Sequence, residues 1–280
     1  MSRQLLHYET FELPEQEEWV VFVHGAGGSV STWKYQVDDF EKHYNLLLID
    51  LRDHGLSKDV DPMMDAYSFQ DISQDIKAVM DQVGVKTAHF VTLSFGSVLV
   101  QDFATRYPYR VKKIVFAGGI FKGTWAIRSF VHFAKALNSV LSYEKMYSFF
   151  SYLLMPRERN QKARRLYQMQ ARRLTQKEYL KWVALYDEFF RLLAKFSHRP
   201  LVNPGLIIMG GDDYVFLSGA EEFDQLQPRA RLQVIPKTGH ICNVEQPEQF
   251  NQLALDFLGA GNMTQGRSAS TKQYESSYSE

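Results

Sequence analysis

From Ala88 to Ala104 an apolar, β-favouring run passes straight into a helical pattern, with no loop between the two. A strand that becomes a helix within two or three residues throws the apical side chain into a strained, exposed position. Its neighbours two residues away on each side must then be small enough to clear the strand and the helix. Here the apex is Ser94, and the flanking small residues are Thr92 and Gly96. This is the layout of a nucleophile elbow, with threonine at a position where glycine is usual. A serine hydroxyl is a weak nucleophile unless an oriented base stands beside it. The alternative is an ordinary strand-to-helix connection in which Ser94 caps the helix, so the remainder of the chain has to decide.

Around that junction, apolar runs and helical patterns alternate. Leu5 to Leu13 reads as an opening strand, and Trp19 to Val23 is a continuous apolar run of the kind a strand covered on both faces requires. It ends in His24-Gly25-Ala26-Gly27-Gly28, whose glycines free the backbone to turn and present N–H groups to a ligand, as in an oxyanion hole or a phosphate cradle. Neither the Walker ending nor a G-x-G-x-x-G register follows, which weakens the phosphate reading. Ser31 to His43 is expected to be a helix and Tyr44 to Ile49 a strand, followed by the polar loop Asp50 to Ser57. Ser68 starts a third helix with Phe69, Ile72, Ile76, Val79, Met80 and Val83 on its apolar face, and Gly84 stops it. Val111 to Ala117 is a further strand.

Between Phe121 and Pro200 the strand-like runs cease. Aromatic-rich helical patterns replace them over 125–141, 143–154, 160–174 and 176–196, so this block reads as an insertion. Strand 206–209, helix 218–226, strand 232–235 and helix 247–258 resume the alternation, and the tail 259–280 is expected to be disordered. The domain organisation predicted is a core of 1–120 and 201–258 with a helical cap at 121–200. The fold class is α/β, a doubly wound and mostly parallel sheet.

With 280 residues, 45% of them apolar, the chain can bury a large core, and its 32 basic residues balance 32 acidic ones, so nothing global points to nucleic acid. A single cysteine, Cys242, excludes an internal disulfide framework and reads as a small buried hydrophobe. The N-terminus lacks the apolar region of a signal peptide and no stretch reaches the length of a membrane span, so a soluble, cytoplasmic protein is expected.

Ligands on open parallel sheets bind at the carboxyl ends of the strands. After strand 206–209 come Gly210, Gly211, Asp212 and Asp213, and after the last strand comes His240. The order Ser, Asp, His completes the serine: His240 would take the proton from Ser94, and Asp213, with Asp212 as the other candidate, would orient the imidazole. His24 and His54 read as structural loop histidines, and His89 lies mid-strand. No metal-ligand spacing is present, and the chemistry needs neither metal nor organic cofactor.

Five loops in this order at strand ends, His24–Gly28, Asp50–Ser57, Thr92–Gly96, Gly210–Asp213 and Gly239-His240 with Glu245 and Pro247, resemble the lid-bearing esterases and C–C hydrolases of the α/β-hydrolase superfamily over about residues 5–258. The resemblance implies that Ser94 is the nucleophile, His240 the base, and Asp213 the acid, since the family's carboxylate lies three residues after the glycine matching Gly210. It also implies that the backbone N–H groups of Ala26 and Phe95 form the oxyanion hole.

The activity so implied is hydrolysis of a small or medium acyl ester or thioester through an acyl-enzyme. The alternatives are a C–C hydrolase or lyase on the same triad, a slow-turnover ligand-binding signalling protein, and a partner-binding domain with a dead site. Serine at the apex argues against dehalogenase and epoxide hydrolase chemistry, which uses aspartate there. Finally, the block 121–200 holds 16 Lys/Arg against 5 Asp/Glu, among them Arg157, Arg159, Lys162, Arg164, Arg165, Arg172 and Arg173. Such a block is either a solvated face or a means of recruiting an anionic acyl substrate.

Overall fold

The computed structural model describes residues 4–58, 60, 66–125, 127–129, 131 and 142–260. Its seven strands are β1 (Tyr8–Phe11), β2 (Trp19–Val23), β3 (Asn45–Ile49), β4 (Ala88–Leu93), β5 (Val111–Ala117), β6 (Gly205–Gly210) and β7 (Ala230–Ile235). They form one sheet in the order β1-β3-β2-β4-β5-β6-β7, in which β1 runs antiparallel to β3 and every other pairing is parallel. The inner strands β3, β4 and β6 are buried at every residue, whereas the edge strand β7 is mostly part-exposed. Continuous apolar runs thus mark strands covered on both faces.

The helices are α1 (Val37–Phe40), α2 (Phe69–Val83), α3 (Gly96–Arg106), α4 (Tyr143–Leu154), α5 (Gln161–Ala171), α6 (Gln176–Ala184), α7 (Tyr186–Ser197), α8 (Leu217–Leu226), α9 (Cys242–Glu245) and α10 (Pro247–Leu258). As expected, Ser68 caps α2 by accepting from the Asp71 N–H, and Gly84 ends it at φ 84°. Helices α4 to α7 lie between β5 and β6, within the stretch expected to be inserted; the pattern expected over 125–141 falls largely outside the described residues, as does 261–280 of the expected tail. Gly259 closes α10 in the left-handed conformation and Ala260 is buried.

Two expected helices are broken. The segment 31–43 is a 3₁₀ turn, Val30–Trp33, followed by the single turn α1. The Thr32 carbonyl accepts from Asn243 Nδ2 at 3.1 Å, and the Gln36 N–H turns back to Trp33 O at 2.8 Å instead. The second is 176–196, which divides at Leu185, whose N–H goes to Trp182 O in a tightened turn. The division lets α7 start where Glu188 accepts the Phe69 N–H of α2 at 3.1 Å. Both breaks satisfy distant polar partners, which the apolar period does not register.

Charged side chains fasten the inserted helices to the sheet. Lys181 of α6, almost fully buried, donates to Tyr67 Oη at 3.0 Å, and Tyr67 donates to Asp53 Oδ2 at 2.8 Å in the loop after β3. Beside it Lys58 pairs with Glu178 at 2.9 Å. Burial raises the pKa of Asp53, and the Tyr67 hydroxyl and the Lys181 charge oppose that rise and keep the carboxyl compatible with the interior.

His89 of β4 is buried with no hydrogen-bond partner on either ring nitrogen. Burial pushes its pKa down from 6.5 to about 4 against the opposing pull of Glu18. Above about pH 6.5 the ring is neutral in both folded and unfolded chains, and the stability is complete. As pH falls through the window from 6.5 to about 4, the unfolded chain takes up a proton that the folded one refuses, so stability is lost. The expected loss is about 3 kcal/mol across that window. Urea denaturation at pH 7 and pH 4.5 should show it in the native protein, with the part due to this residue gone in His89→Leu.

Candidate active site

Ser94 sits between the last residue of β4 and the first turn of α3 at φ 53°, in the left-handed region, with its N–H bonded to Ala117 O of β5 at 3.0 Å. Thr92 is buried beneath it. A Cβ built on Gly96 would lie 2.3 Å from Thr92 Oγ1 and about 3 Å from the backbone carbonyls of Val23 and His24, so the threonine branch occupies space that glycine leaves open. The turn therefore has room for the extra branch, although the Thr92 hydroxyl is buried with no hydrogen-bond partner among the described residues. Gly96→Ala is expected to cost about 3 kcal/mol or more in stability, read from a denaturation midpoint, because backbone on two sides has to yield.

His240 Nε2 lies 2.9 Å from Ser94 Oγ, and His240 Nδ1 lies 2.7 Å from Asp213 Oδ2. Asp213 and His240 are buried, whereas Ser94 is partly exposed to the cavity above it. The other carboxylate oxygen of Asp213 accepts the Phe216 N–H at 3.2 Å, and the Phe216 ring packs against the imidazole with centroids 5.0 Å apart. With both carboxylate oxygens engaged, the imidazole is fixed with Nδ1 toward Asp213 and Nε2 toward the serine. Asp212 points elsewhere: it pairs with Arg159 at 2.6 Å and with Arg157 at 3.4 Å, and accepts from Tyr214.

The loop carrying His240 is braced by residues that the triad pattern does not reveal. Glu245 Oε2 accepts the Gly239 N–H at 2.8 Å and Asn160 Nδ2 at 2.5 Å, which links the loop to the start of α5. Burial raises the pKa of Glu245. Its spacing after His240 is visible in the sequence, but its partner Asn160 is 85 residues away.

The N–H groups of Ala26 and Phe95 donate to no other described residue, and both residues line the cavity next to Ser94. The turn bearing Ala26 is held by two histidines. His24 Nε2 accepts the Leu51 N–H at 3.0 Å while Nδ1 donates to Gly25 O at 2.7 Å. His54 Nε2 accepts the Gly27 N–H at 2.9 Å while Nδ1 donates to Arg52 O at 2.7 Å. Burial lowers both pKa values, so each ring stays neutral in the tautomer that these bonds require. Cys242 is buried, its thiol pushed up to about 12 by burial, and takes no part in the site.

A cavity of about 420 Å³ opens above the serine. Its floor comes from loops following β2, β4, β5, β6 and β7, and its roof from α4 to α7, with Tyr147 and Phe150 of α4, Tyr167 and Gln170 of α5, Tyr179 and Val183 of α6, and Phe189 and Phe190 of α7, joined by Ile127 and Val131. Phe95 stacks on Phe189 with centroids 5.0 Å apart, joining the elbow to the roof. Of the aromatics concentrated in the first half of the inserted block, Tyr147 and Phe150 face the cavity, Phe149 and Tyr152 are exposed, and Phe130 and Phe133 lie outside the described residues.

The basic residues do not enter it. Arg164 is buried and donates to the carbonyls of Met155 and Arg157; Arg157 and Arg159 sit on Asp212; Lys162 lies over the Tyr35 ring at 4.4 Å; and Arg165, Arg172 and Arg173 are exposed. Among the described residues no Lys, Arg, Asp or Glu lines the cavity, and no group of three or more His, Cys, Asp and Glu could hold a metal. Among them, too, no helix is long and apolar enough to cross a membrane.

A family model described as the alpha/beta hydrolase fold matches residues 18–247. The chain belongs to the α/β-hydrolase fold family. A relative in this family, the 2-hydroxy-6-oxononadienedioate/2-hydroxy-6-oxononatrienedioate hydrolase of Paraburkholderia phymatum, is 31% identical over 261 residues, covering 87% of this chain and 88% of its own. Among solved α/β-hydrolase-like structures, the enol-lactonase of Burkholderia xenovorans LB400 superposes with a TM-score of 0.74 at 21% identity, covering 90% of this chain and 96% of its own. The meta-cleavage product hydrolase of Pseudomonas fluorescens IP01 does so with a TM-score of 0.70 at 22% identity, covering 91% and 94%. These two likenesses concern the fold.

Proposed function

We propose that the protein is a serine hydrolase that cleaves an acyl ester or thioester through an acyl-enzyme. Ser94 Oγ attacks the substrate carbonyl while His240 Nε2 accepts its proton. The resulting oxyanion is held by the N–H groups of Ala26 and Phe95, and the imidazolium by the Asp213 carboxylate. Collapse expels the leaving group, which takes the proton from His240, and water repeats the sequence to release the acid and restore Ser94. The observation that carries this reading is the line of two hydrogen bonds, 2.7 and 2.9 Å, from buried Asp213 through His240 to a serine open to the cavity. Its test is covalent: a fluorophosphonate should add one equivalent to Ser94, located by peptide mass spectrometry, and should leave Ser94→Ala unmodified. Absence of an adduct on the native protein would overturn the reading.

The second reading is scission of a C–C bond beside a ketone by the same groups. It is favoured by the 31% identical relative, whose name specifies an oxo diacid. A ring-cleavage dienone diacid, followed by its loss of visible absorbance, separates the two: turnover of that compound in preference to simple esters would make the second reading the correct one.

A further inference from the structure

We propose that this site takes an uncharged, apolar acyl substrate bearing one neutral oxygen, in contrast to the dicarboxylate named for the 31% identical relative, and that the hydroxyl of Tyr147 reads that oxygen. The inference rests on the hydrolase reading above and supplies its substrate class.

Two features of the cavity carry it. The first is the wall. All of its described lining is apolar, aromatic or uncharged polar, and Arg157, Arg159, Lys162, Arg164, Arg165, Arg172 and Arg173 are engaged elsewhere or face solvent. A carboxylate drawn into such a space loses its hydration with no cation among the described lining to meet it, a cost that far exceeds the gain from burying a few methylenes. The diacid of the relative's name would bring two.

The second feature is the placement of hydrogen-bonding groups. Gln170 and Thr32 face the cavity but are bonded to each other at 3.0 Å, and Gln170 also to Ser31. Three phenols of the wall, Tyr147, Tyr167 and Tyr186, have hydroxyls without a hydrogen-bond partner among the described residues, and Tyr147 is the most buried of them and lies against the turn of Gly27. It is 7% exposed, lines the cavity, and its hydroxyl has no hydrogen-bond partner among the described residues. Buried phenols ordinarily find one. The ring lies against Gly27, where an added Cβ would come 2.9 Å from Tyr147 Cε1 and 3.2 Å from its hydroxyl oxygen, so the phenol stands beside the turn that presents the Ala26 N–H. Burial drives its pKa well up, which keeps it a neutral O–H that both donates and accepts. Such a group suits a ketone, ether or hydroxyl oxygen close to the scissile carbonyl, and offers a carboxylate one neutral bond in place of a counter-charge.

The experiment compares three p-nitrophenyl esters of equal chain length: octanoate, the mono-ester of octanedioate, and an oxo-octanoate. On the native protein, kcat/KM for octanoate should exceed that for the octanedioate mono-ester by roughly 100-fold or more, because the latter buries an unpaired charge. Equal rates, or a preference for the carboxylate, would overturn the proposal while leaving the hydrolase reading intact. Binding of the same esters to Ser94→Ala by calorimetry measures the preference independently of turnover: tighter binding of the uncharged esters supports the proposal, equal or inverted affinities refute it. The hydroxyl is tested by a ratio. The preference for the oxo-ester over octanoate should fall roughly 3- to 10-fold in Tyr147→Phe. It should hold in Tyr143→Phe, whose hydroxyl is already bonded to Arg172 O. An unchanged ratio in Tyr147→Phe would refute the assignment of the substrate oxygen to that hydroxyl.

Discussion

Replacing Ser94 with alanine is expected to lower kcat/KM on every ester that the native protein turns over by roughly 10⁴–10⁶, with the fold unchanged. The oxygen removed is the one 2.9 Å from His240 Nε2, and no other described hydroxyl is hydrogen-bonded to that nitrogen. Alanine has the same backbone requirement as serine at φ 53°, so the turn keeps its strain and its shape. Circular dichroism and the denaturation midpoint should match those of the native protein. His240→Ala should cost about as much, and the double variant little more than either alone, because groups that act as a unit do not add. Retention of native rates by Ser94→Ala would show that the hydroxyl is not the nucleophile.

The two adjacent aspartates are expected to behave very differently. Asp213→Asn should lower kcat by roughly 10³–10⁴, since an amide at that position no longer enforces the tautomer that leaves Nε2 free to accept, nor stabilises the imidazolium. Asp212→Asn should change kcat by no more than a few-fold: its carboxylate faces Arg157, Arg159 and Tyr214 at the surface of the inserted helices, away from His240. Steady-state kinetics of both variants on one ester, alongside unfolding curves, measures the contrast. The opposite ranking would transfer the acid's role to Asp212.

Local pattern does not separate the two. Both aspartates follow Gly210 at the end of β6, and spacing alone places either near the histidine. In the structure the turn after β6 separates them: Asp213 accepts the Phe216 N–H and lies 2.7 Å from His240 Nδ1, while Asp212 pairs with Arg159. Likewise, the basic stretch of 121–200 is plain in the composition, but a count of charges says nothing about direction. Arg164 turns inward to the carbonyls just past the end of α4, and Lys162 lies on Tyr35 in the turn before α1, because those partners are presented by the packed fold and not by neighbours in the chain.

The amino-acid sequence by itself determined the alternation of buried strands with amphipathic helices, the strand-end loops that converge on one edge of the sheet, and Ser94 at a turn that only small neighbours permit. These follow from periodicity, glycine placement and chain order, which are local or topological properties. The tertiary structure alone decided how the 3₁₀ turn at Val30–Trp33 and the break at Leu185 redirect their helices, and that Asn160 braces the His240 loop. It alone decided that aromatic and aliphatic side chains make up most of the described wall above the serine. Each of these depends on which groups, tens or hundreds of residues apart, satisfy one another once buried, and a buried polar atom finds its partner through packing, not through proximity in the chain.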